Sequence, residues 1–182
     1  MRVITGTARG RVLKTLAGEA TRPTTDKVKE AVFSAIQFDI EGRRVLDLFA
    51  GSGQMGIEAL SRGAAHAVFV DSSKEAMSII KENLQTTKLY SEATVVCRAA
   101  QDFLRTSEQF DLVFVDPPYG LNLIPDLLQG LLGCLSSYAT VICEHDMAQS
   151  LPQQVGTLVA GKTKKYGRIG VTIYRNKVTD LG

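Results

Sequence analysis

The chain has 182 residues, 45% of them hydrophobic, and a formal net charge of +2, which suits one domain, 1–182, with a sizeable core. No apolar run reaches the roughly 18 residues that span a bilayer, and the opening MRVITGTARGRVLK has no apolar signal-peptide core. Cys97, Cys134 and Cys143 are odd in number and lack C-x-x-C spacing, which argues against a disulfide framework or a zinc site, so a cytoplasmic protein without a metal is expected.

The charge is uneven. Residues 1–29 carry seven Lys/Arg and two acids, residues 160–182 carry six and one, and the middle carries eight and sixteen. Two basic ends around an acidic centre suit an anionic polymer.

In chain order, residues 2–4 and 11–14 are expected to pair as a hairpin across TGTARG. TRPTTDKVKEAVFSAI follows. Thr24 or Thr25 caps a helix that buries Val28, Val32, Phe33 and Ile36 at helical spacing. Residues 1–40 thus form a hairpin and helix extension. From residue 44 strands and helices alternate: RVLDLFA, GQMGIEALSRG, HAVFVD, SKEAMSIIKENLQTT, ATVVCR, a short helix near 100–106, FDLVFVD, a helical stretch over 121–135, and YATVICEHD. This alternation predicts an α/β fold, a mostly parallel sheet with helices on both faces. After Pro152, GTLVAGKTKKYGRIGVTIYRN reads as two strands, an antiparallel C-terminal hairpin closing one edge.

VLDLFAGSGQMG places Gly51, Gly53 and Gly56 between a strand and a helix. This G-x-G-x-x-G context lets backbone approach a ligand at a helix N-terminus, and it fits a nicotinamide dinucleotide as well as other nucleosides. Asp47, four residues before Gly51, would repel a pyrophosphate but attract a cationic amino-acid end. Asp71 ends the next strand about 20 residues past the loop's start, where an acid accepts both ribose hydroxyls. Ribose with a cationic amino-acid tail describes S-adenosylmethionine.

FVDPPYG breaks the fourth strand abruptly, because neither Pro117 nor Pro118 has an N–H for the ladder. A base amine is a poor nucleophile, its lone pair delocalised into the ring. Acceptors on its two hydrogens, from the Asp116 carboxylate and the Pro117 carbonyl, draw that lone pair back to nitrogen. The proline pair holds them rigid, and Tyr119 can stack on an extruded base. A carbon-directed methyltransferase would want a nucleophilic cysteine, often beside proline, and no cysteine here follows one. His66 and His145 read as structural or solvated.

MRVITGTARGRVLK, TRPTTDKVKEAVF, LDLFAGSGQMGIEALSRGA, FVD at 69–71, FVDPPY at 114–119 and EHD at 144–146 together resemble the bacterial 16S ribosomal RNA guanine-N2 methyltransferases of the RsmD type, over nearly the whole chain. The resemblance implies a Rossmann-like class I fold dependent on S-adenosylmethionine. It places Asp47, Gly51 and Gly53 at the methionine end of the cofactor, Asp71 at the ribose, and Asp116, Pro117, Pro118 and Tyr119 at the target base. RPTTDKVKE is expected to cover the cofactor pocket, where Arg22, Thr24 and Thr25 can hold the cofactor carboxylate or an RNA phosphate; Thr25 is assigned to the cofactor and Arg22 to RNA. Arg9, Arg11 and Lys164 are further RNA candidates, with Lys14, Lys162, Lys165 and Arg168. The implied partner is 16S ribosomal RNA within a small-subunit assembly intermediate, and the implied state a monomer. One departure concerns adenine. Family members often carry Asp or Asn shortly after the third strand, whereas Ala99 stands here and Asp102 three residues later. Alternative readings are amino-methylation of another base, such as adenine N6 in DNA or RNA, a nicotinamide-dependent oxidoreductase, and a noncatalytic RNA-binding module.

Overall fold

The computed structural model describes residues 1–17 and 26–177; Arg22, Thr24 and Thr25 lie outside the described residues. The opening segment pairs as expected. Arg2 faces Val12 across an antiparallel bridge, and Val3 N donates to Arg11 O at 2.9 Å. Helix α1 (Asp26–Ala35) buries Val28, Val32 and Phe33, with Ile36 buried just past its end. That is the stripe its helical spacing predicts.

Strands and helices then alternate: β1 (Arg44–Leu48), α2 (Gln54–Ser61), β2 (His66–Asp71), α3 (Lys74–Thr87), β3 (Ala93–Cys97), α4 (Ala100–Phe103), β4 (Phe110–Val115), α5 (Ile124–Leu131) and β5 (Leu135–Asp146). Four short or terminal strands follow: β6 (Gln154–Val155), β7 (Leu158–Ala160), β8 (Lys164–Tyr166) and β9 (Ile169–Asn176). Among the described residues these make one sheet, ordered β3-β2-β1-β4-β5-β9-β7-β6, with β8 also on β9. β1 to β5 pair in parallel. The order reverses between β1 and β4, and that switch opens a crevice at their carboxyl ends.

The C-terminal expectation of two strands is corrected to four. β9 pairs antiparallel with β5 from Arg175↔Thr140 to Ile169↔Asp146, so it lies inside the sheet, and β7 and β8 share its other edge. β9 is mostly buried, and a strand covered on both faces needs ladder partners on both edges. The pieces that supply them run two or three residues each, too short for a periodic signal.

Side-chain alternation sends Leu112, Phe114 and Ile142 to one face, under the hairpin, α1, α2 and α3. Val113, Val115, Val141 and Cys143 go to the other, under α4 and α5. The Phe33 and Phe114 rings pack 5.5 Å apart, which seats α1 over β4. A buried ionic hub pins the hairpin to this core. Glu58 of α2, fully buried, accepts from Ile4 N at 2.9 Å and Thr5 N at 3.0 Å and from Arg62 Nε at 2.9 Å. Lys29 Nζ lies 3.6 Å from it and donates to Arg2 O at 2.8 Å. Burial holds the Lys29 pKa below its usual value, against the pull of Glu58. Asn83 of α3 ties the hairpin's exit to the glycine loop, donating to both Lys14 O and Ser52 O at 2.9 Å.

Candidate active site

Between β1 and α2 the chain turns through three left-handed residues, Phe49 at φ 64°, Gly51 at 56° and Gly53 at 79°. Glycine adopts this region without strain, and phenylalanine does not. Gly56 lets α2 approach β2, because a Cβ there would fall 2.3 Å from the Phe69 ring. Two carboxylates hold the loop. Asp71 accepts from Gly51 N at 3.0 Å through Oδ2 and from Ser73 N at 2.9 Å through Oδ1. Asp47, buried, accepts from Gly56 N at 2.9 Å.

Above this loop lies a cleft of about 380 Å³, lined by Asp47, Gly51, Asp71 and Ser72, by Asp116 and Pro118 from the far side, and by Leu16, Phe49, Met55 and Phe114 as apolar walls. Asp47 and Asp71 therefore do two things at once: they fix backbone and they line the cleft. Gly53 is not among the lining residues. It caps α2 and packs toward Phe69 and Ile80, so its contribution is to the turn. Ala99 caps α4; it and Asp102 are exposed and do not line the cleft.

β4 ends at Val115, and Asp116 projects from its tip. Pro117 is buried, whereas Pro118 and Tyr119 are exposed. The Tyr119 hydroxyl donates to Glu144 Oε1 of β5 at 3.2 Å. Asp116, Glu144, Gln54, Met55, Val32 and Val171 enclose a small chamber beside the cleft. Glu144 lies within EHD, and the sequence alone assigns it no role. An acid at the carboxyl end of the strand beside β4 was the available signal.

Of the basic candidates, Arg9 lines a separate surface depression with Arg2, Asp26 and Glu30, and Arg11 is exposed in the hairpin; neither reaches the cleft. Lys164 is exposed on β8. It pairs with Val171, which pairs with Glu144, so the three lie in one row on one face of the sheet. His145 is buried, its Nδ1–H donating to Asp146 O and its Nε2 accepting from Thr172 Oγ1, each at 2.9 Å. His66 meets Thr94 Oγ1 at 2.8 Å. Both bond within the fold, and neither lines the cleft or its side chamber. Burial pushes the Cys143 thiol pKa far up, so it offers no thiolate nucleophile.

The model of the family described as conserved hypothetical protein 95 matches residues 1–175. The ribosomal RNA small subunit methyltransferase D of Haemophilus influenzae is 44% identical, over 97% of this chain and 94% of its own. Its Escherichia coli counterpart of the same name is 33% identical, over 97% and 90%. The solved structure of the Escherichia coli yhhF protein superposes with a TM-score of 0.89 at 33% identity, covering 98% of this chain and 99% of that one. A glycine loop with two anchoring acids, an Asp-Pro-Pro-Tyr strand tip facing it, and full-length likeness to these proteins agree: the chain belongs to the family of the ribosomal RNA small subunit methyltransferases D and has their class I methyltransferase fold.

Proposed function

We propose that the protein methylates the exocyclic N2 amine of a guanine in 16S ribosomal RNA, with S-adenosylmethionine as methyl donor. One observation carries the reading: Asp116, fixed by Pro117 and Pro118 at the tip of β4, lines the same cleft as Asp47, Gly51 and Asp71.

The cleft fits that donor by the chemistry of its walls. Asp47 suits a cationic amino group and disfavours the pyrophosphate of a nicotinamide dinucleotide. Asp71, oriented by two backbone N–H groups, suits ribose hydroxyls. When bound, S-adenosylmethionine supplies an activated methyl group on a sulfonium, which needs no covalent enzyme intermediate. The chain's own work is alignment and polarisation. Asp116 and the Pro117 carbonyl accept the two amine hydrogens, concentrate the lone pair on nitrogen, and leave the Asp116 carboxylate placed to take the proton the amine loses. Tyr119 stacks on the base. Lys164 on β8, and Arg9 and Arg11 on the hairpin, hold the RNA backbone. Arg22 and Thr25 keep the roles that the resemblance implies.

Residues 1–40 are read as an extension of one methyltransferase domain, since the hairpin, α1 and the sheet share one core cluster. We further assign the protein to the cytoplasm, as a monomer acting on a small-subunit assembly intermediate; among the described residues no helix is long and apolar enough to cross a membrane. The test is tritiated-methyl transfer to small subunits and their assembly intermediates from cells lacking the gene, followed by nucleoside analysis. N2-methylguanosine at one site is expected. N6-methyladenosine as the product would overturn the base assignment, and no transfer would overturn the reading altogether.

A further inference from the structure

We infer that Glu144 reads the N1–H of the target guanine beside the amine held by Asp116, and so selects guanine over adenine and cytosine. The inference rests on the guanine-N2 reading above and adds a specificity residue to it.

The geometry comes from register. Val115 of β4 pairs with Cys143 of β5, so Asp116 and Glu144 are the next residues on adjacent parallel strands. Phe114 and Ile142, two positions before each, both point into the core beneath α1 and α2. The period of two puts Asp116 and Glu144 on that same face, about one strand spacing, or roughly 5 Å, apart. Both line one chamber of about 20 Å³, room for an amine or a water and not for a ring. Tyr119, 42% exposed, is bonded to Glu144, so the proposed stacking ring and the second carboxylate are joined.

Two neighbouring acceptors match one base edge. Guanine presents N1–H and the N2 amine side by side, two donors in a row. Adenine sets an acceptor, N1, beside its N6 amine, and cytosine sets N3 beside its N4 amine. Either would bring a lone pair against Glu144. Uracil has the ring N–H but no amine.

The experiment uses the full-length protein and a 16S RNA fragment with either guanine or 2-aminopurine at the mapped position. 2-Aminopurine keeps the amine at C2 but makes N1 an acceptor. Under single turnover, wild type should transfer to guanine at least about 10-fold faster, since a matched base contact discriminates by roughly 5- to 150-fold. Glu144→Gln should lower the guanine rate about 10- to 100-fold and keep or raise the 2-aminopurine rate, because its amide can donate to N1. Tyr119→Phe, which removes the bond to Glu144, should leave the ratio between the two bases unchanged. Equal losses on both bases in Glu144→Gln, an unchanged guanine rate, or the same ratio shift in Tyr119→Phe would each overturn the inference and leave the guanine-N2 reading standing. A wild-type product other than N2-methylguanosine would overturn that reading itself.

Discussion

In the β1–β2 half of the cleft the carboxylates are bonded to backbone close by in the fold: Asp71 to Gly51 and Ser73, Asp47 to Gly56. In the β4–β5 half, a proline-stiffened strand tip lies beside the neighbouring strand, and the Tyr119 hydroxyl donates to Glu144 at 3.2 Å. The first half is an anchored cradle whose acids hold backbone and line the cleft with the same side chains. The second separates the two tasks, because rigidity there comes from the pyrrolidine rings. Substitutions in the cradle should therefore move stability and cofactor binding together, and substitutions at the strand tip should move transfer to RNA without moving stability.

The largest effect should come from Asp116→Ala. Its acceptor matters most as nitrogen gains positive charge, so its loss acts on the transition state. A single-turnover methyl-transfer assay should show a drop of about 10²–10³, with cofactor affinity by calorimetry nearly unchanged. Near wild-type transfer would reduce DPPY to a turn and dissolve the contrast.

Asp71→Ala should show the opposite signature. Losing a charged hydrogen bond costs roughly 1.5–3 kcal/mol, so affinity for S-adenosylmethionine should fall about 10-fold or more. Melting temperature should fall with it, since Gly51 N and Ser73 N lose their acceptor. A variant that melts lower but binds normally would leave Asp71 a purely structural acid.

Tyr119→Ala removes stacking worth roughly 1–3 kcal/mol per base, and should raise the apparent KM for RNA without changing the melting temperature. Tyr119→Phe keeps the ring and should be mild. A phenylalanine variant as impaired as the alanine one would show that the hydroxyl, through Glu144, is what counts.

The smallest effect per residue belongs to the basic edge. Neutralising Lys162, Lys164 and Lys165 together should lower the slope of log affinity against log salt by about 2, at about 0.7 per phosphate contact to single-stranded RNA. An unchanged slope would remove β8 from the RNA face.

Much of this was legible along the chain. The parallel sheet, the glycine turn and DPPY are local patterns, and each has a short-range cause: apolar runs make buried strands, Gly53 takes a left-handed φ, and prolines end ladders. Asp47, Asp71 and Asp116 were readable because each sits at or near a strand's carboxyl end. The split of the C-terminal segment into β6 to β9 was not, because two- and three-residue strands have no period. Nothing in the local sequence around Glu58, one acid within α2, marks it. Only the docking of Ile4, Thr5, Lys29 and Arg62 around it makes it a hub.

The sequence by itself thus determined the order of elements, the turn residues and the chemistry available at each strand end, since these depend on residues a few positions apart. The tertiary structure alone decided which strand ends share a cleft. Strand register set Glu144 beside Asp116 and Lys164 two strands beyond. Register is a property of paired strands, fixed by which faces are buried together, and no single stretch of the chain contains it.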